Sequence, residues 1–478
     1  MTRISVSLSG IERTLVNRLA EADAAVKLHS LRLTTGKKVR TPRDAPSTFL
    51  ALSGLQSWLG NVKSAVANVA AASSMITKTQ TAVAQIRTQL GAIRTELVKD
   101  EARSLTPAER SAAQGGIDEA IVQINALAGA EIDGRLLLDG SADYSVSGRD
   151  PAQVSSLRVY STGRATAAGW QPEISGSVLE AATQAQLVYT GSGGKTTAAA
   201  TFTLTGKLGS AAINVALNED LDDVATRIND VSHKTGVVAS VDGDELTLTS
   251  VYYGAAAEVA VSVSDGAFAV TGGNGDGTAN GDDAVARING ILYTAGGNGN
   301  RLAINQNGFH FDIEFAAGFT GDLETMTVDG GGLTFALLPS LYQRSGLAVP
   351  GLHAASLGGV SGKLGQIFSG GTYSGLDANT SRAIRIVDEA IGQLDMIGGR
   401  IDGYFNASIT SSSNLLSEFQ EDLEDSIVET DGYNEDEEYL LLEKSQSLAD
   451  NARTSLSVLY EQRMKMVELI EHLAGLGS

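Results

Sequence analysis

Apolar residues recur in steps of mostly three and four at Leu55, Leu59, Val62, Val66, Val69, Ile76, Val83, Ile86, Leu90, Ile93 and Leu97. This is the heptad period of a coiled-coil seam, and no proline interrupts it. A helix over residues 55–97 is about 65 Å long at roughly 1.5 Å per residue. One narrow apolar stripe of that length needs partner helices, in this chain or in a neighbouring one. A shorter helix precedes it, with Leu8, Ile11, Leu15, Leu19, Ala22 and Val26 on one face. It is expected to end near Leu33, where Gly36 suits the position just past a helix C-terminus. Residues 37–46 hold Pro42, Pro46 and a cluster of Lys and Arg. They read as an extended solvated loop, or as a basic docking site for an acidic surface.

After Leu97 comes a polar break, then a well-marked helix start. Thr106 is the N-cap candidate, with Pro107 at the first helical position and Glu109 at the third, a capping box. Ile117, Ile121, Ile124 and Ala128 form a stripe that folds back on the long helix. Asp133-Gly134 and Asp139-Gly140 read as turns around a short apolar strand at Leu136, Leu137 and Leu138. From about Ser141 to Gly375 the chain is rich in Gly, Ser, Thr and Val with period-two runs. There, residues 201–205 and 245–249 read as strands around a short helix at 221–228. Residues 222–229 are partly echoed by 282–289, which raises an internal duplication, although Gly290 and Ile291 favour strand in the second copy. Heptads return at Ile384, Val387, Ile391, Leu394, Ile401, Phe405, Leu416, Phe419, Leu423 and Ile427. They are weakened by Gly398, Gly399 and the serines at 408–413, and broken at Asp431-Gly432. A last helix carries Leu441, Leu448, Ala452, Leu459, Met466, Ile470 and Leu473.

These periods predict an α+β multidomain chain. Long helices at both ends pair into a coiled-coil rod around a β-rich central insert. The expected parts are 1–54 (first helix and basic loop), 55–140 (long helix, return helix and short strand), 141–375 (β-rich insert with a module at 201–250) and 376–478 (paired C-terminal helices). Charge supports the pairing. Residues 1–135 carry 17 Lys and Arg against 12 Asp and Glu, whereas residues 376–478 carry 7 against 21. A basic N-terminal end and an acidic C-terminal end attract side by side.

The chain has 478 residues, enough for two or three domains, and a formal net charge of −21. Such acidity disfavours nucleic acid and anionic membrane as main partners. Cysteine is absent, so disulfides, thiolate nucleophiles and Cys-ligated metals are excluded. The five histidines are scattered without metal-ligand spacing. Residues 272–277 and 296–300 resemble fragments of a calcium-binding Gly/Asp repeat, but no short period recurs and turns are the better reading. No phosphate loop, nucleophile elbow or dinucleotide fingerprint appears. No cofactor is implied, and an enzyme is the least favoured class. The first residues lack a secretory signal, and no run of apolar residues spans a membrane.

Several stretches resemble the bacterial flagellins and their relative, the hook–filament junction protein. Leu31-Arg32-Leu33-Thr34-Thr35-Gly36-Lys37-Lys38-Val39-Arg40 is similar to the family's L-S-S-G-x-R-I/V stretch, and Pro42-Arg43-Asp44-Ala45 follows it. Asp133-Gly134-Arg135-Leu136-Leu137-Leu138-Asp139-Gly140 is close to N-G-x-x-L-L-D-G. Residues 201–250, with Phe202, Ile228-Asn229 and Thr235-Gly236-Val237, resemble a module of flagellins and hook-associated proteins. The likeness covers both termini, about 240 residues. It implies a structural subunit whose terminal helices pair and stack into a helical filament, a homo-oligomer, with the β-rich middle projecting outward. It also implies extracellular placement on the bacterial flagellum, reached through the flagellar type III export channel without a cleaved signal peptide. An export chaperone and hook-associated proteins are the implied partners. Pro42 and Pro46 are closer to the junction protein than to a filament flagellin. Gly91-Ala92 replaces the Gln-Arg of flagellins seen by an innate immune receptor.

The seam residues expected to carry assembly are Leu15, Leu19, Val62, Val69, Ile86 and Ile93 from the N-terminal side. Ile391, Leu394, Leu456, Leu459 and Met466 complete them from the C-terminal side. Ile93→Lys is therefore expected to block assembly while the middle still folds. Three functions fit: a filament subunit, the hook–filament junction protein, or a secreted surface adhesin whose β-rich middle binds a ligand.

Overall fold

The computed structural model describes residues 10–102, 105–162, 172–306, 308–339, 345–376 and 379–473. Leu8 lies outside them, as does the side chain of Leu473. The N-terminal helices are α1 (Gly10–Thr35), α2 (Pro46–Ala102) and α3 (Pro107–Ala128). A ten-residue helix α4 (Leu221–Asp230) and a single turn α5 (Ser232–Thr235) lie in the β-rich region. The C-terminal helices are α6 (Thr380–Tyr404), α7 (Ser411–Asp431) and α8 (Glu435–Leu473). The architecture is α+β, with long helices at both ends and a β-rich centre.

Local chemistry sets the helix ends. Gly36 has φ +61° and its N–H donates to the Arg32 carbonyl at 2.8 Å, closing α1 where a Cβ would be strained. Pro46 occupies the first position of α2, where no N–H is needed. The capping box of α3 forms: the Thr106 N–H donates to the Glu109 carboxylate at 2.9 Å, and the Glu109 N–H donates to the Thr106 hydroxyl at 3.4 Å. The serine-rich stretch does not break the helix. A π-helical turn, Phe405–Thr410, joins α6 to α7.

Contacts divide the chain into two compact units. The terminal unit holds Met1–Val66 and Asn414–Ser478, and the central unit holds Ala67–Ser413. The central unit has three apolar cores. The first packs Ile76, Ile86, Leu90 and Ile93 of α2 against Ile117 and Ile124 of α3 and Ile384, Val387 and Leu394 of α6. Leu137 and Leu138 are buried in it, after a two-residue turn in which Asp133 and Gly134 both take positive φ.

The second core lies under the module at 201–250. Strand Ala200–Gly206 pairs with Gly209–Val215 and Glu258–Gly266, while Glu245–Tyr253 pairs with Val237–Asp242 and Gln184–Thr190. The α4 helix caps this core with Leu221, Val224 and Ile228, and Phe268 stacks between Tyr189 and Phe202. The third core belongs to a five-stranded and a three-stranded antiparallel sheet, and buries Phe311, Ile313, Phe315 and Ile174. The echo at 282–289 is no duplication: residues 221–230 are helix, whereas Val285–Ile288 is a strand turning back through Asn289-Gly290 into Ile291–Thr294. Asn289 and Gly290 both have positive φ, so the turn chemistry overrides the shared sequence.

Candidate assembly surface

In the terminal unit α1 and α8 lie side by side and antiparallel. A ladder of charged pairs sets their register. Arg463 donates to Glu12 at 3.2 Å, Arg453 to Asp23 at 2.6 Å and Arg32 to Glu438 at 2.9 Å. His29 Nδ1 is 2.5 Å from the same Glu438 carboxylate. Glu438 is 2% exposed. Burial pushes its carboxyl up, but His29 and Arg32 outweigh that and hold it below the usual glutamate range.

The acidic break at 429–438 receives the basic loop. Asp431 accepts the Lys38 and Val39 N–H groups at 2.8 and 2.9 Å. Asp44 accepts those of Arg40 and Thr41 at 3.0 and 2.8 Å, and these bonds hold its carboxyl low. The loop is therefore tied by its backbone to an acidic residue of its own chain. Asp431, Glu438 and His29 were not among the expected site residues. The signal for them was the charge contrast between the two ends.

A second ladder lies in the central unit. Gln80 donates to Asp402 at 2.6 Å, Arg87 to Asp395 at 2.7 Å and Arg94 to Asp388 at 2.6 Å. The N-terminal partners are seven residues apart, so the polar flank of the seam keeps the same heptad as its core.

The expected seam residues fall into three groups. Val62, Val69, Ile86, Ile93 and Leu394 are buried within the chain itself. Ile391 is half-buried beside the first core. Leu15, Leu19, Leu456 and Leu459 are half-buried on α1 and α8. Met466 is 62% exposed. It belongs to a run on α8 with Tyr460, Met464, Leu469 and Ile470, all more than half exposed. Leu440, Leu448, Ile11, Leu50 and Trp58 are also exposed in this unit. Among the described residues, nineteen large apolar side chains are exposed in the terminal unit, against eleven in the much longer central one. None of the three cores includes a residue of the terminal unit.

The bacterial flagellin N-terminal helical region matches residues 7–143, and the flagellin hook IN motif matches residues 201–251. Both matches are to flagellin models and support the bacterial flagellin family for this chain. It is a structural protein of the flagellum. The hook IN motif coincides with the Ala200–Gly206 strand, α4 and the Glu245–Tyr253 strand, the segment expected to form a strand, helix, strand module.

No curated protein matches this chain. Similar solved structures include the D2–D3 domains of the flagellar cap protein from Escherichia coli. That likeness is 18% identical, covers 39% of this chain and 99% of that one, and has a TM-score of 0.29. The flagellar junction protein from Legionella pneumophila is 11% identical over 81% of this chain and 100% of that one, with a TM-score of 0.27. No helix among the described residues is long and apolar enough to cross a membrane.

Proposed function

We propose that the chain is a subunit of the flagellar filament that self-assembles through its terminal helices for motility. The exposed apolar run on α8, from Tyr460 to Ile470, supports this reading most directly. Such a face gains burial only from other helices, and a head-to-tail contact that does not close on itself grows into a filament. On this reading the exposed Met466 contacts neighbouring subunits, with half-buried Leu15, Leu19, Leu456 and Leu459 beside it. The buried Val62, Val69, Ile86, Ile93 and Leu394, with half-buried Ile391, hold the helices that present that face. The β-rich region is the outer surface. The subunit reaches the cell exterior by flagellar export, with an export chaperone and hook-associated proteins as partners.

The hook–filament junction protein is the second reading, favoured by Pro42 and by Pro46 at the start of α2. Electron microscopy of purified protein with and without filament seeds separates the two. Filaments that lengthen with protein concentration support the filament subunit, and a short cap on seeds that does not extend supports the junction protein. No binding to seeds overturns both. Met466→Glu with Ile470→Glu is expected to leave the monomer folded and to abolish growth on seeds.

A further inference from the structure

The central unit contains a polar cleft of about 730 Å³. It is walled by the three-stranded sheet, by the hook IN module and by α6 with the turn before it. The strands Val154–Thr162 and Phe309–Phe315 send alternate side chains to opposite faces. Phe311, Ile313 and Phe315 enter the third core, while Arg158 and Glu314 line the cleft.

Seven ionisable side chains reach the cleft, four cationic and three carboxylic. Arg301 is paired with Asp312 at 2.5 Å. Glu389 is occupied on its own wall, accepting the Ser361 N–H at 3.0 Å, the Ser361 hydroxyl at 2.8 Å and the Tyr252 hydroxyl at 3.3 Å. Arg158, Lys207 and Lys363 remain, and none of them forms an ion pair with a carboxylate of the described residues. Glu314 lies near Lys363 and Arg301, and its charge favours the protonated form of each. With Arg301 and Asp312 paired, three cations thus face two carboxylates, an excess of one positive charge in a chain of net charge −21. Burial, and then the nearby Arg158 charge, lower the Lys363 amine, against the opposing pull of Glu314 and Glu389.

We propose that this cleft binds an acidic sugar residue. The carboxylate of a uronic acid matches Arg158 and Lys363, since a guanidinium holds a carboxylate through two parallel bonds. The hydroxyls of the ring match the remaining polar groups, Glu314 as acceptor and the side-chain carbonyls of Asn298 and Asn300, whose amide N–H groups already donate to backbone carbonyls at 3.2 and 2.8 Å. Tyr252 supplies an aromatic wall, with the Lys207 ammonium 5.3 Å from the ring centroid. A cleft of this volume suits a sugar of one or two rings. The inference is independent of the proposed role in the filament.

The test is ligand-observed NMR on the full chain with D-glucuronate, D-glucose, tetragalacturonate and inorganic phosphate. Glucuronate or tetragalacturonate is expected to bind where glucose does not, and the tighter of the two shows whether a free sugar or a polymer is the source. Arg158→Gln and Lys363→Gln are each expected to weaken binding about tenfold, the loss of one charge-assisted bond. Lys207→Gln, at an exposed position that tolerates change, is expected to weaken it severalfold and guards against a folding artefact. Lys99→Gln, outside the cleft, is the control. Equal binding of glucose, equal binding of phosphate, no binding of either acid, or unchanged affinity in all three cleft variants would overturn the proposal.

Discussion

The two ends of α2 carry the same heptad signal but meet different surroundings. In the central unit Ile76, Ile86, Leu90 and Ile93 sit in a three-helix core with α3 and α6. In the terminal unit Val62 is buried, but Leu55 and Leu59 are only half covered, and Leu50 and Trp58 are exposed. The central helices have a third layer, while α1 and α8 have mainly each other. A two-helix pair covers one stripe on each helix and leaves the flanks wet. The central unit is thus complete as a monomer, and the terminal unit is the part with apolar surface left to bury.

The sharpest test places a charge in the completed core. Ile93 is 1% exposed. Ile93→Lys is expected to cost about 4–5 kcal/mol, because the ammonium has no partner there. Urea unfolding followed by circular dichroism should show the first core melting early. The variant therefore loses assembly through the fold of its own helices, which modifies the expectation that the middle is unaffected. Wild-type stability would refute the placement of Ile93 in the core.

Truncations then compare the two units directly. Ile86→Ala, fully buried, should cost about 2–5 kcal/mol, whereas half-buried Leu456→Ala should cost about 1 kcal/mol in the monomer. In assembled protein the gap should close if α8 becomes buried. Melting curves of monomer and assembly measure both, and an unchanged gap would break the contrast.

Much of this was legible in advance. The heptads of α2, the capping box at Thr106 and the strand, helix, strand module all follow from short-range rules. The echo at 282–289 failed because Asn289-Gly290 specifies a hairpin. Three to four residues per turn also say nothing about which neighbour covers a stripe, so Ile93 and Met466 looked alike. The docking of the hook IN module was hidden for the same reason. It depends on Arg385 of α6, 5% exposed, donating to Ser232 and to Ser361, residues far apart in sequence.

That docking yields two smaller effects. Arg385→Ala removes two buried charge-assisted bonds, to hydroxyls that keep their own acceptors at Asn229 and Glu389, and should cost about 2–3 kcal/mol. Hydrogen exchange should rise in the module while the first core stays protected, and uniform exchange would argue against local docking. His233, in the same place, lies 3.1 Å from Glu101. Burial lowers its pKa, with Glu101 opposing. The unfolded chain then takes up a proton as pH falls through about 6.5 while the folded chain resists, so this group withdraws stability below neutral pH. Glu389 works the other way. Burial raises its carboxyl, so its contribution improves as pH falls. His233→Asn should flatten the loss of Tm between pH 7 and 5, and an unaltered slope would remove His233 from the balance.

The smallest effect separates the two charge ladders. Arg94 and Asp388 are each more than a third exposed, so Arg94→Ala should cost only about 0.5 kcal/mol and the difference should fade in high salt. Arg463 meets a Glu12 side chain that is only 10% exposed. Arg463→Ala removes a charge-assisted pair from a carboxylate that is largely shielded from solvent, so it should cost more than Arg94→Ala and keep more of its cost in salt. Chemical denaturation of both variants at low and high ionic strength reads the difference. A larger loss at Arg463 would mean that the terminal helices use paired charges to hold their register until further helices cover them. Equal losses would mean that both ladders only decorate the surface, leaving the half-buried leucines of α1 and α8 to set the register.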